Sequence, residues 1–109
     1  MKKTSSKYSA EEIEVARLMK LLAHPARVAI VNRLLATDQC FCGELVLDLP
    51  LSQSTVSRHL LVLKNAGLIQ GETSGVNTCY CIHLPTWKKI STRLHAFLSQ
   101  TPRLQKKCC

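Results

Sequence analysis

The segment from Ser52 to Ile69 constrains this chain more than any other. Ser52 stands just before a run in which Val56, Leu60, Leu63 and Ala66 recur at three- and four-residue spacing, the pattern that lines one face of a helix. The Ser52 hydroxyl can accept a first-turn N–H, Pro50 stops any helix from running in from upstream, and Gly67 is the residue type that ends a helix in the left-handed conformation. Start, buried side and stop are therefore all written locally. The opposite flank carries Gln53, Ser54, Thr55, Ser57, Arg58 and, more to one side, His59. Gln and Arg make two-point contacts with adenine and guanine edges, and Ser and Thr bond bases or phosphates, so this flank suits a recognition helix in a major groove. The plain alternative is the solvated face of an ordinary amphipathic helix.

The neighbouring segments favour the first reading. Upstream, Glu44 to Leu49 is a short apolar stretch that meets the recognition segment at the Pro50-Leu51-Ser52 corner, as in a helix-turn-helix. Downstream, Leu68 to Glu72 and Thr78 to His83 read as strands around Thr73-Ser74-Gly75-Val76-Asn77, a hairpin. The fold expected is mainly α with a small β-hairpin wing, a winged helix-turn-helix.

The rest of the chain supplies a body for this unit. Ser9 and Glu12 have the spacing of a capping box, and the helix they open presents Ile13, Ala16, Leu18, Leu21 and Leu22. Ala23-His24-Pro25 breaks it, and a second helix from Ala26 to Leu35 is apolar on most sides. After the hairpin, Thr86 caps a last helix from about Trp87 to Ser99, with Trp87, Ile90, Leu94 and Ala96-Phe97-Leu98 as its apolar side. Residues 9–100 thus form one domain, between a disordered basic tail (1–8) and a flexible basic tail (101–109) that ends in Cys108-Cys109. Apolar faces on the first and last helices suggest a dimer through them, which would place two recognition helices about 34 Å apart, matching a palindromic site. Packing of both faces inside one monomer is the alternative.

Charge and cysteine usage narrow the function. The net charge of +8 concentrates in the tails: Lys2, Lys3, Lys7, Arg103, Lys106 and Lys107 have no acid among them, while residues 9–100 hold nine basic against seven acidic residues. Such tails either reach phosphates in a salt-sensitive way or simply solubilise the chain. Nothing resembles a membrane span or a secretion signal, so a cytoplasmic location is expected, where six cysteines serve as metal ligands, redox sensors or buried thiols rather than structural disulfides. A two-residue period puts Cys40 and Cys42 on one face of a short strand. In a winged helix that strand pairs with the second wing strand, which here bears Cys79 and Cys81. Four thiols so placed can hold zinc, bind a trivalent metalloid through three sulfurs, or oxidise to a disulfide; Cys79 and Cys81 can also be plain buried residues. Cys108 and Cys109, beside two lysines, can supply a further sulfur. A small thiol oxidoreductase would want Cys-x-x-Cys at a helix start, which neither motif offers.

Leu22-Ala23-His24-Pro25-Ala26-Arg27, the run Ser52 to Leu63 and Ala66-Gly67-Leu68-Ile69 together resemble the ArsR/SmtB family of metal- and metalloid-responsive repressors over about residues 10–98. The resemblance implies a homodimer that sits on double-stranded operator DNA and leaves it when a ligand binds, with no obligatory cofactor and no catalytic residues. Arsenic sensors of that family carry Cys-x-Cys at the start of the third helix, where Cys40-Phe41-Cys42 falls, so arsenite or antimonite is the inducer it implies. The further thiolate common two or three residues beyond is replaced by Glu44 and Leu45, and the family's last-helix zinc ligands are reduced to His95. A redox- or persulfide-sensing repressor of the same fold is the alternative.

Overall fold

A computed structural model describes residues 7–37, 40–42, 49–74 and 77–102. Helix α1 spans Ala10–Leu21 and opens with the capping box read from the sequence: the Ser9 hydroxyl accepts the Glu12 N–H at 3.0 Å, and the Glu12 carboxylate accepts the Ser9 N–H at 3.0 Å. Its buried side is Val15, Leu18 and Leu21. Ile13 and Ala16, expected on that side, face outward instead. The helix is apolar on two sides, and Val15 falls in register with Leu18 on the side that meets the core.

Helix α2, Pro25–Leu35, begins at the proline, whose missing N–H has no intrahelical role in the first turn. Its N-cap is unusual in kind: the His24 ring accepts the Ala26 N–H through Nδ1 at 3.0 Å. Ala26, Ile30, Val31 and Leu34 are buried, whereas Val28 and Leu35 point out. A two-residue strand β1, Phe41–Cys42, follows. The expected short helix from Glu44 to Leu49 lies, but for Leu49, outside the described residues, as do Gly75-Val76 at the hairpin tip and most of both tails, including Cys108 and Cys109.

Helix α3 spans Gln53–Asn65. Ser52 caps it, accepting the Thr55 N–H at 3.3 Å, and Val56, Leu60 and Leu63 are buried. It closes in a Schellman arrangement: Leu68 N–H donates to the Leu63 carbonyl at 3.1 Å and Gly67 N–H to that of Lys64 at 2.9 Å, with Gly67 at φ +81°. Leu63 and Leu68, the pair of apolar residues that such a closure brings together, are both fully buried.

The wing is strands β2, Ile69–Ser74, and β3, Asn77–Ile82, paired antiparallel from Ile69↔Ile82 to Ser74↔Asn77. β1 adds to the free edge of β3, giving the order β1-β3-β2. Ile69 is buried, and Tyr80 and Ile82 pack against the core, so one face of the sheet covers the helices. Gly71 lies under the Tyr80 ring, where a Cβ would come within 3.0 Å of it, which accounts for a glycine inside a strand. The last helix, α4, spans Leu84–Leu98 with His83 as N-cap. It starts ahead of the expected Trp87 because Pro85, read as a sheet terminator, sits in the first turn where proline is accommodated; Thr86 bonds the His83 ring at 2.7 Å. Ile90 is buried, Trp87 and Leu94 pack on the core, and α4 lies against α1. Phe97 and Leu98 remain exposed.

Candidate nucleic-acid interface and thiol site

The core anchors one side of α3 and leaves the other bare. Gln53, Ser54, Ser57 and Arg58 are exposed, and Thr55 is half-buried. The Ser54 and Thr55 hydroxyls lie 3.1 and 3.0 Å from the Ser52 hydroxyl, so the first turn carries a small hydroxyl cluster rather than three independent groups. Leu61, 57% exposed, shares this face one turn beyond Ser57 and Arg58 and adds an apolar patch to it. Arg58 is thus a forked cation on an open helix face.

His59 is placed differently from its neighbours. It is half-buried at the base of the helix, with its ring centroid 4.3 Å from that of His24, and its Nδ1 accepts from Arg27 Nε at 3.1 Å. Arg27 also donates from Nη1 to the Leu21 carbonyl at 3.1 Å. One guanidinium therefore joins the end of α1, the start of α2 and the middle of α3. Burial, then the neighbouring His24 and Arg27 charges, holds the His59 pKa below the ordinary histidine value. His59 belongs to the joint that sets the angle of α3 more than to its free face. Arg27 carried no sign of this in the sequence, because its partner lies 32 residues away.

Cys79 and Cys81 alternate along β3 with Tyr80 and Ile82, which pack on the core, and so lie on the other face of the sheet. β1 pairs with β3 at Phe41↔Tyr80 and Cys42↔Cys79, and the same register sets Cys40 opposite Cys81. Cys40 and Cys81 form a disulfide, with Cα atoms 4.5 Å apart. That separation marks a non-hydrogen-bonded antiparallel pair, in which side chains come closest. Cys79 is also disulfide-bonded. The expectation of unpaired thiols thus gives way to the oxidised alternative, for a geometric reason: the register brings the cysteines directly across from one another. Cys40 is exposed, Cys79 and Cys81 are half-buried, and the β2 residues in register with Cys81 and Cys79 are the exposed Gln70 and Glu72. With these sulfurs in S–S bonds, no group of three or more His, Cys, Asp or Glu side chains among the described residues is placed to hold a metal ion. His83 is engaged with Thr86, and His95 is exposed on α4.

This arrangement matches known proteins in sequence and in shape. The model of the bacterial regulatory protein arsR family matches residues 24–70, from the His24 cap to the first wing strand. The chain belongs to the arsR family. The transcriptional repressor PagR of Bacillus anthracis is 34% identical over 70 residues, covering 64% of this chain and 70% of PagR. The transcriptional repressor SmtB of Mycobacterium tuberculosis is 44% identical over 63 residues, 58% of this chain and 46% of SmtB. The match to SmtB thus spans about half the length of that curated relative. The crystal structure of M. tuberculosis Rv0081 superposes with a TM-score of 0.61 at 29% identity, covering 85% of this chain and all of that one. Among the described residues the architecture is four helices with an antiparallel hairpin, the winged helix expected from the sequence. No helix among the described residues is long and apolar enough to cross a membrane.

Proposed function

We propose that this arsR-family chain is a homodimeric transcriptional repressor of the cytoplasm that holds duplex operator DNA through α3 and is released by a thiophilic ligand, trivalent arsenic or antimony, bound through Cys40 and Cys42. The observation that carries the DNA-binding half is the division of α3: Val56, Leu60 and Leu63 are sunk in the core, while Gln53, Ser54, Ser57 and Arg58 stand free. Thr55 and His59 flank that row, His59 as a buttress. The repressor names of SmtB and PagR agree with this reading.

Dimerisation supplies the affinity. Ile13 and Met19 of α1 and Phe97 and Leu98 of α4 are exposed, and Met19 and Phe97 line a groove between the two helices with Val15, Ala16 and Ala96. A second copy seated there would bury these residues and set two recognition helices one turn of DNA apart, so that a palindromic site is read twice. A ligand that binds better to the DNA-free form shifts the balance toward it. Each tenfold loss of DNA affinity requires about 1.4 kcal/mol of such preference.

Arg58→Ala tests the DNA contact. It removes an exposed side chain, so the fold stays intact while specific affinity falls by a factor corresponding to about 1–3 kcal/mol. Unchanged binding in an anisotropy assay takes α3 out of the role given to it. For the ligand, Cys40→Ser with Cys42→Ser keeps DNA binding and ignores arsenite; a double variant that still dissociates moves sensing to other residues. The Cys40–Cys81 disulfide favours a second reading, in which oxidation is the releasing signal. Release of DNA by peroxide or polysulfide but not by arsenite selects that reading.

A further inference from the structure

The ligand reading leaves arsenic one sulfur short, because Cys40 and Cys42 are two thiols and trivalent arsenic takes three. We propose a site drawn from both strands instead: in the reduced protein Cys81 and Cys79 of β3 join Cys40 of β1 as the three sulfurs that hold a trivalent arsenical on the outer face of the sheet. The proposal rests on the ligand reading for its effect on DNA, but not for the composition of the site.

Three observations carry it. First, Cys40 and Cys81 have their Cα atoms 4.5 Å apart. Side chains close enough to join through a disulfide are close enough, once reduced, to flank a single thiophilic atom. Second, antiparallel pairs alternate in type, so Phe41–Tyr80 is the hydrogen-bonded rung and Cys42↔Cys79 is a second close rung of the same kind as Cys40↔Cys81. Cys79 and Cys81 share one face of β3 at two-residue spacing, beside Cys40. Third, this is the open face. Tyr80 and Ile82 point into the core, and Cys79 and Cys81 alternate with them, in register with exposed Glu72 and Gln70. Cys40 is exposed, Cys79 and Cys81 are half-buried, and none of the three belongs to the core.

The chemistry balances without a change of oxidation state. One As(OH)3 exchanges three hydroxyls for three thiolate sulfurs, each thiol proton leaving with a hydroxyl as water, so three As–S bonds replace three As–O bonds. Soft sulfur ligands and a soft metalloid suit each other. The bound atom does what the disulfide does in the oxidised protein: it ties β1, ahead of the helix-turn-helix, to the wing strand that follows it.

The test uses the full chain, reduced and kept anaerobic, with sodium arsenite as the probe. Native mass spectrometry is expected to show one arsenic bound per chain with loss of three protons, and iodoacetamide mapping to show Cys40, Cys79 and Cys81 shielded. Cys81→Ser is expected to weaken arsenite binding at least about tenfold, a loss of about 1.4 kcal/mol or more. If Cys81 in the wild-type protein alkylates as fast with arsenite as without, or if Cys79→Ser with Cys81→Ser keeps wild-type affinity, the wing is not part of the site. The mapping needs no variant, so it decides the matter even if a variant fails to fold. DNA release is read separately. Shielding of Cys81 without release leaves this site standing and removes arsenite as the inducer; release that survives loss of Cys79 and Cys81 does the reverse.

Discussion

Arg27 of α2 donates from Nε to Nδ1 of His59 on α3 at 3.1 Å, and this bond fixes α3 to the junction of the first two helices. It also fixes the His59 proton: with Nδ1 accepting, the neutral ring carries its hydrogen on Nε2. Protonation of Nδ1 would replace the bond with two facing cations. Burial, then His24 and Arg27, accordingly lowers the His59 pKa in the folded protein.

The sign of the pH effect follows. Above the ordinary histidine value of about 6.5 the ring is neutral in both folded and unfolded chains, and its contribution to stability is complete. As pH falls below that value the unfolded chain binds the proton more readily than the folded one, so stability is lost until the folded-state pKa is passed. The urea midpoint should therefore fall on acidification through this range, and His59→Gln should flatten that part of the profile. Identical pH slopes in the two proteins would take His59 out of the account.

Gly67 offers a test of the helix stop. A Cβ there would meet nothing closer than the Thr86 hydroxyl at 3.9 Å, so the cost of Gly67→Ala comes from its φ of +81° and not from a clash. A left-handed non-glycine residue costs about 1–2 kcal/mol. Gly67→Ala should lower the unfolding free energy by that amount, seen as a lower urea midpoint at unchanged slope, and Gly67→Asn should cost less. A midpoint equal to wild type would mean that the closure of α3 contributes nothing.

The α1–α4 surface makes a third prediction. Phe97, 45% exposed, lines the groove that a second copy would fill, and Ile13 of α1 is 48% exposed. Phe97→Glu with Ile13→Glu should leave the helical signal of the monomer intact, since neither residue is buried, while sedimentation shifts from dimer to monomer. A double variant that sediments as a dimer places the interface elsewhere.

Much of this was legible in the sequence, where the determinants are local. The Ser9–Glu12 box, the Ser52 cap and the Gly67 stop each act within a few residues, and α3 runs from one of these signals to another. The alignment of Cys40 with Cys81 needed one thing more, the pairing of β1 with the second wing strand, and two-residue periodicity then did the rest. Where the reading went astray, several local answers were equally good. In α1 both Ile13 and Val15 offer an apolar face, and only the position of the other helices selects Val15. Pro85 is as compatible with a first helical turn as with the end of a strand, and the His83–Thr86 bond goes with the former. The Arg27–His59 bond had no local signature at all.

The most direct test of the central claim uses the reduced protein and a labelled operator duplex recovered by selection from a random pool. Anisotropy should show tight binding that weakens steeply with added salt, as phosphate contacts require, and addition of arsenite should lower the affinity at least about tenfold. A protein that selects no duplex at low salt, or one that holds its selected duplex equally well with and without arsenite and oxidant, would contradict the account.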